Sequence, residues 1–139
     1  MSVTIVAFDS DHQPPIRAIR DAVFIGEQNI DPGLEFDGQD GSAIHALVAV
    51  DDRYVGTGRM LDDGHIGRIA IMRDYRGQGL GARVVLALIE EAARRGYPRV
   101  YLGAQQQAIG FYAGLGFTPF GEPFMEAGIP HLAMEKSLV

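Results

Sequence analysis

Cysteine is absent from the 139 residues, which removes disulfides, thiolate metal ligands and a cysteine nucleophile together. The absence agrees with a cytoplasmic setting, which is the one expected. Long apolar runs are missing too. None approaches the ~18 residues that a membrane-spanning helix needs, so no membrane partner is expected. The opening Met1-Ser2-Val3-Thr4-Ile5 has neither the basic nor the apolar region of a signal peptide, and no leader is expected there. Positive charge is in deficit. Lys and Arg total 12 against 18 Asp and Glu, a net charge of −6, which argues against nucleic acid as a partner. The balance leaves room for a cationic small substrate or for a local basic pocket. Four scattered histidines without cysteine give no metal-ligand spacing, so no metal is expected. Ser2, Ser10, Ser42 and Ser137 lack a nucleophile-elbow context, and no Ser/His/acid triad stands out.

Glycine is abundant, 18 in all, and falls at particular places rather than in a linker. No repeat or low-complexity segment interrupts the chain, and its length suits one domain over residues 1–139. Val3 to Phe8 reads as a first strand. Asp9, Ser10 and Asp11 offer caps, and Pro14-Pro15 suits the start of a helix whose apolar face is Ile16, Ile19, Val23 and Phe24. Asp31-Pro32-Gly33 reads as a turn, and Glu35 to Gly41 as an acidic, solvated loop. Three strands follow as a meander, at Ile44 to Val50, Tyr54 to Leu61 and His65 to Met72, with turns at Asp51-Asp52 and Asp62-Asp63-Gly64. A long amphipathic helix carries Leu80, Val84, Val85, Leu88, Ile89 and Ala92, with Glu90/Arg94 and Glu91/Arg95 as i,i+4 pairs on its wet side. Gly96 and Pro98 stop it. Val100 to Ala104 is a short strand, Ala108 to Leu115 a short helix, Thr118 to Pro130 irregular or edge-like, and His131 to Leu138 a last strand. The order β-α-β-β-β-α-β-α-β predicts an α/β (α+β) fold with a mixed sheet and helices on its faces.

Arg76-Gly77-Gln78-Gly79-Leu80-Gly81 stands between a β-branched strand and that helix. Glycines let the backbone curl so that several N–H groups point into one concavity, and the helix adds its free amides and dipole. Together they suit a phosphate or pyrophosphate, with Arg73 and Arg76 beside it. The alternative is a strand-to-helix turn that only needs positive φ. A mononucleotide P-loop is excluded because no Gly-Lys-Ser/Thr follows. Gly77-x-Gly79-x-x-Ala82 formally satisfies a dinucleotide fingerprint, but it follows a late strand, Arg73 to Arg76 intervene, and the next strand ends in Gln105 rather than an acid.

Ile69-Ala70-Ile71 followed by Tyr75-Arg76-Gly77-Gln78-Gly79-Leu80-Gly81 resembles the acetyl-CoA motif of the GNAT N-acetyltransferases, Arg/Gln-x-x-Gly-x-Gly/Ala after the fourth strand. Ala108-Ile109-Gly110-Phe111-Tyr112-Ala113-Gly114-Leu115-Gly116-Phe117 is similar to the family's second hallmark, an Ala-Ile…Tyr…Gly-Phe helix. The resemblance covers residues 65–117. Gly103-Ala104-Gln105 with Glu126-Ala127-Gly128-Ile129-Pro130-His131 is similar to a small single-domain bacterial branch. Two departures stand out: Arg73 where many relatives carry Pro, and Gln105 where they carry Asn.

The resemblance implies acetyl-CoA as co-substrate and direct attack by a primary amine, from a small molecule or a peptide, through a tetrahedral intermediate. It also implies that backbone groups of Ile69, Ile71 and Arg73 line the acetyl and pantetheine path, with an N–H near Ile71 as the oxyanion donor. Arg76, Gly77, Gln78, Gly79, Leu80 and Gly81 would hold the pyrophosphate, Gln105 would contact the pantetheine arm, and Tyr112 matches the general acid. A phenol with an ordinary pKa of ~10 keeps its proton at neutral pH. The base is open among Glu27, Glu35, Asp37, Asp40, His45, His65 and His131, with His131 placed at the start of the last strand. A non-catalytic acyl-CoA-binding module on the same fold is the alternative reading, a dinucleotide-dependent oxidoreductase the more remote one, and a homodimer stays open.

Overall fold

The computed structural model describes residues 1–139. Four strands run antiparallel in chain order as one sheet: β1 (Ser2–Val6), β2 (Ile44–Val50), β3 (Arg53–Met60) and β4 (Ile66–Ile71). Asp51 and Asp52 both take positive φ, 49° and 63°, as the tight turn between β2 and β3 requires. A second antiparallel sheet is built on β8 (Ile129–Ser137). One edge of β8 pairs with β5 (Arg99–Gln105), the other with β6 (Thr118–Pro119) and β7 (Phe124–Glu126).

The two sheets meet at a single point. His65 faces Tyr101 in a lone parallel bridge, and the Tyr101 N–H donates to the Gly64 carbonyl at 3.0 Å. Gly64 has φ of +91°, and a Cβ there would lie 2.5 Å from the Arg99 carbonyl oxygen, so only glycine lets β5 close on the turn. Beyond this pin no ladder joins β4 to β5, and the strands open into a wedge.

Helices cover both faces of the first sheet. On one face α3 (Leu80–Arg94) buries Leu80, Val84, Val85, Leu88 and Ala92 against Ala46, Val48 and Ile66, together with Val100 and Leu102 from β5. On the other, Ile16 and Ile19 of α1 (Gln13–Arg20) and Val23 pack on Leu47 and Ala70. Leu47 lies between Ala46 and Val48 in β2, so the period-2 alternation of the strand assigns the two clusters to opposite faces. Ile66 and Ala70 of β4, four residues apart, also belong to opposite clusters. The ladder with β3 shifts between them, where Arg68 takes φ of +51°. That bulge inverts the phase of the strand.

Several elements differ from the pattern-based reading. The first helix ends as α-helix at Arg20 and continues as a π-helical turn over Asp21–Glu27. Pro32, at the first turn with Asp31 as a capping residue, starts the short helix α2 (Pro32–Glu35) where a simple turn was expected. The proline-rich stretch holds β6 and β7, and β8 begins at Ile129 rather than His131. A last helix, α4 (Ile109–Gly114), precedes them. Arg94 pairs with Glu91 rather than Glu90, so Glu91 receives both Arg94 and Arg95.

Candidate active site

The wedge between β4 and β5 is a cleft of about 420 Å³. Ile66 to Ile69 form one wall, Leu102, Gly103 and Gln105 the other, and Tyr112 of α4 and the β7–β8 hairpin close the side. Met72 N–H donates to Val55 O at 2.8 Å. In an antiparallel ladder successive residues turn their peptide groups to opposite sides, so the N–H and C=O of Ile71 point away from β3, toward the gap. The Ile71 carbonyl there accepts from Arg76 Nε at 2.8 Å. Ile69 sits inside the bulge.

Past the end of β4 the chain makes a 3-10 turn (Arg73–Tyr75) and enters α3 through Gly77 and Gly79, both left-handed at φ of +77° and +78°. Gly81 lies within α3. The first intrahelical bond runs from Arg83 N–H to Gly79 O, which leaves the amides of the preceding residues free of helical acceptors. A Cβ at Gly77, Gly79 or Gly81 would meet nothing within 4 Å. No internal packing therefore demands glycine at these positions. The open space in front of them is what a pyrophosphate approaching the amides requires. Arg73 is exposed and makes no ion pair, whereas Arg76 is tied to Ile71 O and to Glu27 Oε2 at 2.8 Å.

Tyr112 is half-buried, its ring set edge-on to Phe111 and Phe117 with centroids at 5.0 and 5.8 Å. Burial pushes its phenol pKa up. Gln105 ends β5 and pairs in register with His131 on β8. His131 Nδ1 donates to Ile129 O at 2.7 Å, which leaves Nε2 as the acceptor nitrogen of a neutral ring.

The acidic segment is solvated at Asp37 to Gln39 and at Gly41, but Glu35 and Asp40 are buried. Its carboxylates meet three arginines drawn from α1, β3 and β4. Arg20, 1% exposed, pairs with Glu35 and with Asp40 at 2.6 Å. Arg59 takes Asp37 at 2.9 Å and Asp40 at 3.1 Å. Arg68, at the bulge, takes Glu35 at 3.1 Å and Asp37 at 3.3 Å, and donates to Leu34 O at 3.1 Å. Hydrogen bonds from Arg59 hold Asp37 down to about 2. Burial pushes the Glu35 carboxyl up against the pull of Arg20 and Arg68. Burial also raises Asp40, but the bonds from Arg20 and Arg59 outweigh it and keep it low. These carboxylates are neutralised by residues 15 to 33 positions away in sequence, which no local pattern shows. A signal was present in Arg59 and Arg68, single charges set within apolar strands, where an arginine needs a buried partner.

An acetyltransferase (GNAT) domain profile matches residues 31–138. The chain belongs to the GNAT acetyltransferases. It is 36% identical over 122 residues to the uncharacterized N-acetyltransferase YjcF of Bacillus subtilis (strain 168), covering 85% of this chain and 87% of that protein. It is 35% identical over 130 residues to protein ElaA of Escherichia coli (strain K12), covering 87% and 84%. The crystal structure of ElaA superimposes with a TM-score of 0.88 at 28% identity, over 99% of this chain and 100% of that one. The crystal structure of an acyl-CoA N-acyltransferase from Pseudomonas aeruginosa gives 0.87 at 28% identity with the same coverage.

As a GNAT acetyltransferase the chain is an acyltransferase enzyme, and its fold is one that generally binds acetyl-CoA; the dinucleotide reading falls away. The GNAT wedge brings Ile69, Gln105, Tyr112 and His131 to one cleft. Arg73 to Gly81 lie outside it, past the end of β4 and at the head of α3. Among the basic candidates, Glu35 and His65 line the cleft, Glu27 pairs with Arg76, and Asp37 and Asp40 belong to the arginine network. His45 is fully buried away from the cleft, stacked on Phe8 and donating from Nε2 to Asp40 O at 3.0 Å. Burial lowers its pKa, and likewise that of His65.

Proposed function

We propose that this protein is a cytoplasmic, single-domain N-acetyltransferase that moves the acetyl group of acetyl-CoA to a primary amine. The observation that carries the proposal is the wedge between β4 and β5, which Ile69, Gln105, Tyr112 and His131 line together. The first turn of α3, with Gly77, Gln78, Gly79, Leu80 and Gly81, takes the pyrophosphate on free amides, with Arg73 and Arg76 adding charge. Gln105 hydrogen-bonds the pantetheine arm.

His131 removes a proton from the acceptor ammonium. The amine lone pair forms a C–N bond at the acetyl carbonyl carbon, and the carbonyl electrons move to oxygen, where the N–H of Ile71 receives the charge. The oxyanion then re-forms the carbonyl as the C–S bond breaks, and Tyr112 gives its proton to the departing thiolate. The new nitrogen loses its remaining extra proton, which restores the phenol through water, and His131 releases its own proton to solvent.

Thermal shift with CoA, acetyl-CoA and NAD, followed by thiol detection over a panel of amines, tests the reading. Stabilisation by both CoA species but not NAD, with amine-dependent thiol release, is the expected result. No stabilisation by CoA would overturn it.

A further inference from the structure

Two carboxylates line the cleft, and their circumstances differ. Glu35 is held by Arg20 and Arg68 within a network of three arginines and three acids that is neutral as a whole. Glu126 makes no ion pair and receives no hydrogen bond, although it faces the same space. The uncompensated charge of the cleft is therefore negative, in a chain of net charge −6.

Glu126 is also presented with some care. It ends β7 opposite Ile129, and the hairpin turn between them is only Ala127 and Gly128, both left-handed at φ of 51° and 75°. A Cβ on Gly103 would meet Phe124 Cζ at 3.0 Å, with Glu126 Oε2 and His131 Cδ2 each at 3.8 Å. Glycine in β5 thus lets a ring, a carboxylate and an imidazole converge over that strand. Phe124 and His131 stack there with centroids 5.6 Å apart.

We propose that Glu126 seats a second ammonium group of the acceptor, so that the favoured substrate class is a short diamine, held by one nitrogen and acetylated on the other. The inference rests on the acetyl-transfer reading above. Gly103 lies two residues before Gln105 on β5, about 7 Å along a strand. That span matches a four-carbon chain between two nitrogens, with one at Glu126 and the other at the level of Gln105 and Tyr112. Ala127 and Ile129 supply the apolar wall that the methylenes need.

The test uses 1,4-diaminobutane and n-butylamine, which differ only in the second nitrogen, with the wild-type chain and Glu126→Gln at saturating acetyl-CoA. Glu126 is exposed, so the wild type should favour the diamine by about three- to fivefold in kcat/KM, the worth of one solvent-screened ion pair. Glu126→Gln should erase that preference through KM, leaving kcat and the butylamine reaction within about twofold. Equal handling of both amines by the wild type, or an equal loss on both in the variant, would overturn the proposal. Calorimetry of each amine against the CoA-loaded protein separates the two levels of inference. Diamine binding that Glu126→Gln abolishes, without thiol release from either amine, upholds the seat and sinks acetyl transfer. Thiol release without diamine preference does the reverse, and absence of diamine binding removes the seat.

Discussion

Tyr112 reaches the cleft from a helix of only six residues, and its orientation is set by Phe111 and Phe117 packed against its ring. Because burial raises the phenol pKa, the hydroxyl stays protonated through neutral pH and is available as a donor. Tyr112→Phe keeps the ring and those contacts and deletes only the oxygen. Turnover should drop by about 10²–10⁴-fold, the usual worth of a positioned general acid, with melting temperature and acetyl-CoA affinity unchanged. Steady-state kinetics beside calorimetry read both. Full activity of the phenylalanine variant, with chemistry limiting the rate, would take Tyr112 out of the mechanism. Arg68 poses the opposite case at this scale. It holds a left-handed φ that favours glycine, and the guanidinium contacts to Leu34, Glu35 and Asp37 show what keeps an arginine there.

Among the elements, α3 does two separable jobs: its apolar side seals the core, and its first turn offers free amides. Gly79 is a poor place to test the second job, because its φ of +78° strains any side chain. Gly81 is the better one, since it has helical backbone and open space before it. A helix interior prefers most residues to glycine by up to roughly 0.5–1 kcal/mol, so Gly81→Val should hold or raise the melting temperature. CoA affinity should fall about tenfold or more as the side chain blocks the approach. Unchanged affinity by calorimetry would remove this turn from the CoA site. The helix and the β2–β4 meander were legible in sequence because their signals are local: a 3.6-residue stripe from Leu80 to Ala92, and apolar runs broken by Asp51-Asp52 and Asp62-Asp63-Gly64. The glycine loop was legible for the same reason. The bulge at Arg68, the Gly64 pin between the two sheets and the strands inside the proline-rich stretch were not. Each depends on partners far along the chain: Glu35 and Asp37 for Arg68, Arg99 and Tyr101 for Gly64, and β8 for β6 and β7.

At the scale of the whole molecule, the arginine network joins α1, α2, β3 and β4, with Glu35, Arg59 and Arg68 on the cleft wall, so the acid stability of the protein should report on it. The signs differ among its carboxylates. Asp37 titrates near 2 in the folded chain against an ordinary 3.8, so its stabilisation is complete above 3.8 and is lost as pH falls toward 2. Asp37 is exposed to solvent, and screening cuts the stability worth of that depression to about 1 kcal/mol or less. Asp40, also held low, adds to the same loss. Glu35 works the other way: burial raises its pKa above 4.5, so the folded state takes up that proton first, and stability rises slightly as pH falls toward 4.5. Stability measured by urea unfolding should therefore be level or gently rising from pH 7 to about 4.5, then fall steeply between about 4 and 2. Asp37→Asn should lower stability at pH 7 by about 1 kcal/mol or less and make the acid limb shallower, because one of the protons whose uptake unfolds the wild type has no site to enter. An acid limb that keeps its full slope in Asp37→Asn would mean that the pairing of Asp37 with Arg59 and Arg68 contributes nothing to stability, and that Glu35 and Asp40 alone anchor the three arginines.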